Sequence, residues 1–359
     1  MKHLAIIGST GSIGQQTIAV ADRFKDEFKV VSLVCGRQSQ EFKQQIIKYR
    51  PKLAVVAETD GEAAVIKAVT LPEIDLVVMA VVGLAGLKPT LAAVKAKKTV
   101  ALATKEVLVA AGDLVMTAVK KNQTRLISID SEMAAIQQCL MSGGKQEINR
   151  LILTLGKGNL ALMTREELRS VSVNQVSKRN HWEMGKKITI DSATGVNKAM
   201  EVIEASWLFS IPGKKIDLVV HPEYLCHSLV EFVDGSIIAE LGVADMKRYI
   251  QRALFYPERR ETVRQQRLSL IGKSLSFELA PVDKFPALTL GHQVLKNGGT
   301  MGAFFLGADA AAVGDFSAGK IGFNQITVLI SRAMRQHRVI TNPNLDQIMR
   351  AYREGENSL

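Results

Sequence analysis

The order of apolar and polar positions predicts short buried strands alternating with helices over the first third of the chain. Apolar runs at residues 4–7, 28–34, 53–57, 76–82 and 99–103 have strand length and little polar alternation, the pattern of strands covered on both faces. Helical periodicity fills the intervals at 15–24, 61–68 and 88–96, and again at 107–121. Such alternation makes a doubly wound parallel sheet. Further strands are expected at 126–129, 151–154, 218–221, 228–232 and 236–241, and Asp234-Gly235 is a hairpin turn signal, so this region is partly antiparallel. Residues 256–282 have no clear period and read as an arginine-rich linker. The remainder reads as helices broken by Gly298-Gly299 and Asn342-Pro343-Asn344. The expectation is an α/β chain with a doubly wound parallel sheet over 1–122, an α+β domain with a mixed sheet over 123–255, a linker over 256–282 and a helical domain over 283–359.

The stretch 186–204 carries the densest set of reactive side chains. It reads as a short strand ending at Asp191, a small-residue turn from Ser192 to Gly195, and a helix from 197 to about 209 bearing Asn197, Lys198 and Glu201. Free N–H groups at a helix N-terminus favour anions. Glu201 lies three residues after Lys198 and so on the same face. A carboxylate next to an anion makes chemical sense with a cation between them, so the stretch suggests a phosphate and a metal.

The first strand runs directly into Gly8-Ser9-Thr10-Gly11-Ser12-Ile13-Gly14 and then a helix. This is the strand–turn–helix setting of a Rossmann-like dinucleotide fingerprint, in which backbone approaches a pyrophosphate. The second strand ends in Cys35-Gly36-Arg37-Gln38-Ser39, which offers a cation and a hydroxyl in place of an acid. A 2′-phosphate is therefore preferred over a free 2′-hydroxyl, and NADPH over NADH. Lys105 and Glu106 follow another strand C-terminal end, where open α/β sheets place ligands. Asp130 and Glu132 flank Ser131 after the strand at 126–129, and their carboxylates are hard oxygen ligands suited to Mg²⁺ or Mn²⁺. Gly156 lies in a glycine-containing turn able to offer backbone N–H groups. Trp182 and Met184, ahead of Gly185 on a polar loop, read as a lid or as an anchor onto the core. His221 and His227 stand at strand ends and could each be structural.

Composition narrows the partners. The 46 basic and 35 acidic residues leave +11, but the basic residues are dispersed and aromatics make up only 5%, too few for a base-stacking surface. Small anionic ligands are expected, not nucleic acid. No apolar run is long enough to span a membrane, and Met1 passes straight into a strand without a signal-peptide pattern, so the cytoplasm is the expected compartment. Cys35, Cys139 and Cys226 are three and widely spaced, which favours buried free thiols over a disulfide framework or zinc site.

Taken together, the glycine turn 8–14, Ala103-Thr104-Lys105-Glu106, Asp130-Ser131-Glu132, Trp182-Glu183-Met184-Gly185-Lys186-Lys187, Asp191-Ser192-Ala193-Thr194, Asn197-Lys198-Ala199-Met200-Glu201, His221-Pro222-Glu223 and His227-Ser228 resemble the 1-deoxy-D-xylulose 5-phosphate reductoisomerase family. They occur in the family's order over the first two thirds of the chain. The resemblance implies conversion of 1-deoxy-D-xylulose 5-phosphate to 2-C-methyl-D-erythritol 4-phosphate in non-mevalonate isoprenoid biosynthesis, with NADPH and a divalent cation, in a homodimer. It implies Asp130, Glu132 and Glu201 as metal ligands, with Ser192, Asn197 and Lys198 on the substrate phosphate. It further implies Ser131 on the substrate, Lys105 beside metal and substrate oxygens, Trp182 and Met184 in a closing loop, and His227 in the pocket.

The chain departs from the family's pattern at several places. Gly156 stands where a phosphate-binding serine is usual, with Lys157 beside it as a substitute anion donor. Arg179 replaces a histidine, Tyr224 a small hydroxyl, Lys247 an arginine, and Leu306-Gly307-Ala308-Asp309-Ala310 an Asn-Ala-Ala-Asn-Glu run. These changes leave open a related phosphorylated or phosphonylated keto compound as substrate, or a paralogue that binds NADPH without turnover.

Overall fold

Six of the apolar runs form one parallel sheet. In the computed structural model, which describes residues 1–177, 185–261 and 267–359, the strands are β1 (Lys2–Ile7), β2 (Phe28–Cys35), β3 (Leu53–Val56), β4 (Leu76–Met79), β5 (Thr99–Leu102) and β6 (Leu126–Ser128). Their order is β3-β2-β1-β4-β5-β6, and every pairing is parallel. The order reverses between β1 and β4, the switch point at which doubly wound sheets open a ligand crevice. Leu4, Ile6, Leu76 and Val78 share the sheet core with Ile250 and Leu254 of the helix Met246–Phe255.

That helix and β6 belong to the first of two compact units, made of Met1–Val107, Asp113–Ala134 and Asp245–Gln265. The second unit comprises Leu108–Gly112, Ala135–Ala244 and Gln266–Leu359. It holds β7 (Ile148–Leu155), β8 (Ile216–Val220), β9 (Cys226–Phe232), β10 (Ile237–Leu241) and β11 (Glu278–Leu279) in the order β10-β9-β7-β8-β11. Only β7 and β8 run parallel, so this sheet is mixed. The C-terminal helices Leu290–Asn297, Met301–Ser317, Phe323–Gln336 and Leu345–Glu356 follow. Met301–Ser317 is buried around most of its circumference, which is why it shows no amphipathic stripe.

One predicted element is of the wrong type. Residues 186–191 are not a strand: Lys186–Thr194 is a helix, closed by Gly195 at φ +90° before a second helix, Val196–Phe209. The alternating Ile188, Thr189 and Ile190 mimic a strand period, but their β propensity is a weak, context-dependent preference. Helical spacing brings Lys187 to 2.8 Å from Asp191 as an i,i+4 ion pair, and it buries Thr189, Ile190, Asp191 and Thr194. Tertiary burial overrides the local preference.

All three cysteines are free and buried. Burial pushes the thiols of Cys35 and Cys226 up to about 11 and that of Cys139 up to about 12, so none is a thiolate near neutral pH. The native protein is therefore expected to react negligibly with an aromatic disulfide reagent at pH 8 and to titrate all three thiols after unfolding in guanidinium. Rapid reaction of one thiol in the native state would contradict this burial.

Candidate active site

In the first unit the glycine turn is shaped by close backbone approach. Gly8 sits at φ +88°, and a Cβ there would fall 2.2 Å from the Ala80 carbonyl oxygen at the end of β4. A Cβ on Gly14 would fall 2.1 Å from the Gly8 oxygen and 2.6 Å from Ser9 Cα. The helix Ser12–Arg23 can start this close to β1 only because both positions lack side chains. Gly11 N–H donates to the Gly8 carbonyl at 3.0 Å, Thr10 and Ile13 are half-buried and Ser12 is exposed. Ser9 Oγ is buried without a hydrogen-bond partner among the described residues.

The end of β2 is more open. Gly36, Arg37 and Gln38 are exposed, and Arg37 Nε makes a surface contact of 3.1 Å to Glu58 Oε1, a pair of little net strength that leaves the guanidinium available. Ser39 Oγ accepts the Phe42 N–H at 3.1 Å as helix cap.

The loops after β4, β5 and β6 are tied to one another. Thr104 Oγ donates to the Val81 carbonyl at 2.6 Å, and the Gly83 N–H donates to Glu106 Oε1 at 3.2 Å. Glu106 therefore holds the turn after β4. Lys105 Nζ lies 2.5 Å from Asp130 Oδ2, with side chains only 8% and 13% exposed. A pair this dry regains its desolvation cost only in part, and it stands where parallel sheets take ligands. Ser131 Oγ donates to Glu132 Oε2 at 2.5 Å, so Asp130, Ser131 and Glu132 begin the helix Ser131–Cys139 as a compact group of oxygens.

In the second unit the helix Val196–Phe209 carries Asn197, Lys198 and Glu201 on one face. Glu201 is 1% exposed, and its carboxylate accepts from Asn197 Nδ2 at 2.5 Å and from Lys198 Nζ. Lys198 Nζ also donates to the Thr154 carbonyl at the end of β7, at 2.6 Å. Ser192, half-buried, lies in the last turn of the preceding helix and not in a strand-end turn. Lys187 of that helix bonds both Asp191 and Asp309, the latter fully buried on Met301–Ser317. Burial works against the Lys187 charge, but Asp309 and Asp191 outweigh it and hold the ammonium well above its usual range.

His227 is buried with Nε2 3.0 Å from the Gly242 carbonyl. Gly156 is exposed at the end of β7, and Lys157 Nζ binds both carboxylate oxygens of Glu278 at 2.9 and 2.8 Å, which counters the charge expected to serve an anion. Trp182, Met184 and Arg179 lie outside the described residues.

Sequence reading overlooked Thr104, the Thr154 carbonyl and the Lys187–Asp309 pair. A threonine before Lys105 gives only a weak signal. A carbonyl acceptor gives none, and Asp309 is 122 residues from its partner.

Comparisons with known proteins cover both units. The model of the 1-deoxy-D-xylulose 5-phosphate reductoisomerase family matches residues 4–61 and 57–112, and models described as C-terminal domains of that enzyme match 126–209 and 241–357. The similarity thus extends into the C-terminal third. The reductoisomerase of Thermoanaerobacter pseudethanolicus is 42% identical over 99% of this chain and 97% of its own length. That of Bacillus subtilis is 43% identical over 97% and 96%. Among solved structures, the Zymomonas mobilis reductoisomerase in complex with NADPH superposes with TM-score 0.93 at 33% identity, covering 99% of this chain and 97% of that one. A reductoisomerase in complex with NADPH, fosmidomycin and magnesium gives 0.87 at 32% identity over the same shares.

The two glycines predict opposite responses to alanine. Gly14→Ala must displace backbone and is expected to destabilise the fold by about 1–3 kcal/mol. Gly36→Ala meets nothing within 4 Å and is expected to leave the melting temperature unchanged. Equal melting temperatures for the two variants in a calorimetric scan would refute the close approach at Gly14.

Proposed function

From the premise that the chain belongs to the 1-deoxy-D-xylulose 5-phosphate reductoisomerase family, we propose the residue roles by which it performs that family's reaction. The chain is an NADPH- and divalent-metal-dependent reductoisomerase that converts 1-deoxy-D-xylulose 5-phosphate to 2-C-methyl-D-erythritol 4-phosphate. The alternative substrates and the silent paralogue are not favoured, given about 42% identity along 99% of the chain.

The residues fit both cofactors. The side-chain-free turn at Gly8, Gly11 and Gly14 leaves backbone at a helix start for a pyrophosphate. Arg37, countered only at the surface, suits a 2′-phosphate, with Gly36 and Gln38 beside it. Lys105 and Glu106, at the C-terminal end of β5, would complete the set of residues that hold NADPH. Asp130, Glu132 and Glu201 are assigned to one Mg²⁺ or Mn²⁺, because three carboxylates match the charge and hardness of such an ion. The observation that carries the metal assignment is burial: Asp130 is half-buried and Glu201 1% exposed, and carboxylates this dry call for positive charge beside them.

When bound, the cation polarises the ketone and stabilises negative charge on oxygen, and NADPH supplies the hydride. The chain's own groups do the rest. Lys105, desolvated beside Asp130, is placed to stabilise developing oxyanions or to move a proton. Ser192, Asn197 and Lys198 hold the phosphate, and Ser131 the substrate hydroxyls. That remote binding energy aligns the reacting carbons. His227, fixed by the Gly242 carbonyl, is assigned to the substrate pocket, and Trp182 and Met184, outside the described residues, keep the closing-loop role that family membership implies.

We also place the enzyme in the cytoplasm as a homodimer. Three unpaired cysteines support a reducing compartment, and no helix among the described residues is long and apolar enough to cross a membrane. Exposed Ile237 and Ile238 on edge strand β10, and separately Leu279 on β11 at the opposite edge, support self-association.

Glu201→Gln is expected to abolish NADPH oxidation with 1-deoxy-D-xylulose 5-phosphate and to weaken Mn²⁺ binding in calorimetry, while NADPH affinity is kept. Full activity with undiminished Mn²⁺ binding would refute the metal assignment. No turnover by the unmodified protein at high enzyme concentration would refute the function itself.

A further inference from the structure

The turn after β8 holds a tyrosine in a backbone conformation that bulky residues rarely adopt. Tyr224 sits at φ +55°, in the left-handed region, where a large side chain persists only if its surroundings over-determine it. Here they do. His221 accepts the Leu225 N–H at Nε2, 3.1 Å away, and donates from Nδ1 to the Ser276 carbonyl at 2.9 Å. Its ring stacks on Phe277 with centroids 5.0 Å apart. The Glu223 carboxylate accepts from Ser276 Oγ at 2.5 Å and from Ser276 N–H at 3.2 Å. Both residues thus pin the turn to the segment leading into β11, and Tyr224 is presented from it.

The ring is presented to Gly156. A Cβ at 156 would fall 1.8 Å from the ring carbon Cε1, 2.1 Å from Cζ and 2.4 Å from the phenol oxygen. While Tyr224 keeps its place, only glycine fits there, and the phenol oxygen stands in the space that a short side chain at 156 would reach. The strand end beneath it supplies the Thr154 carbonyl that holds Lys198. The ammonium of Lys157 at this strand end is engaged by Glu278.

We propose that Tyr224 is a specificity-determining residue whose hydroxyl, delivered over Gly156, donates to the phosphate or phosphonate of the ligand held by Ser192, Asn197 and Lys198. The inference rests on the reading of those three residues as the phosphate site. It makes the glycine and the tyrosine one unit: a hydroxyl delivered across the turn from 224, with a glycine at 156 to admit it.

The test is steady-state kinetics with 1-deoxy-D-xylulose 5-phosphate, and fosmidomycin binding in the presence of NADPH and Mn²⁺. Tyr224→Phe keeps the ring and the fold, and should lose roughly ten- to a hundredfold in kcat/KM and in fosmidomycin affinity, the worth of one hydrogen bond to a charged group. Its NADPH affinity should not change. Gly156→Ser alone should lose at least as much because its Cβ meets the ring, and the double variant Gly156→Ser/Tyr224→Ser should recover most of the loss. A Tyr224→Phe variant equal to the unmodified enzyme in both measurements overturns the proposal, as does a fully active Gly156→Ser. Unmodified protein that neither turns over nor binds fosmidomycin overturns the underlying phosphate reading instead. If the double variant does not fold, the Tyr224→Phe result decides.

Discussion

A carboxylate that is 1% exposed needs positive groups and donors in place of the water it has lost, and at Glu201 two neighbouring elements of the second unit supply them. One helix turn supplies Asn197 and Lys198, and β7 supplies the carbonyl that orients the lysine. The first unit solves the same problem at Asp130, where Lys105 at the head of the next helix provides the ammonium. Buried ion pairs of this kind add little net stability. What they do fix is the position of the carboxylate oxygens.

Backbone proximity is the second constraint, and it is steric. The turn after β1 touches the end of β4 closely enough that Gly8 and Gly14 admit no side chain. The same rule governs Gly156 for a different cause, since there an aromatic ring and not a carbonyl occupies the space. Glycines that look alike in the sequence therefore do different work: two let a helix approach a strand, and one makes room for Tyr224.

Much of the local geometry of the candidate site is legible from sequence pattern. A glycine turn between a strand and a helix, acids at a strand end, and a lysine and glutamate three apart are short-range features whose geometry follows from element type. The helix at 186–194 is hidden in the sequence because Ile188, Thr189 and Ile190 alternate as a strand does, while the interactions that decide the matter come from burial and from Asp309 far along the chain. Lys157 was legible as a cation but not as a committed one, because its partner Glu278 is 121 residues away.

By itself the sequence determined the alternation that builds a parallel sheet, the mixed sheet and helices that follow, the fingerprint turn, the three acids and the family, because each is written in spacing over a few residues or in motifs that keep their order. Tertiary structure alone decided which charges are spent on one another, that Ser192 rides on a helix, and that Tyr224 fills the place of a side chain at 156. Those outcomes depend on which distant segments are packed together, and a contact between residues 68 or 122 positions apart leaves no periodic trace in the chain that makes it.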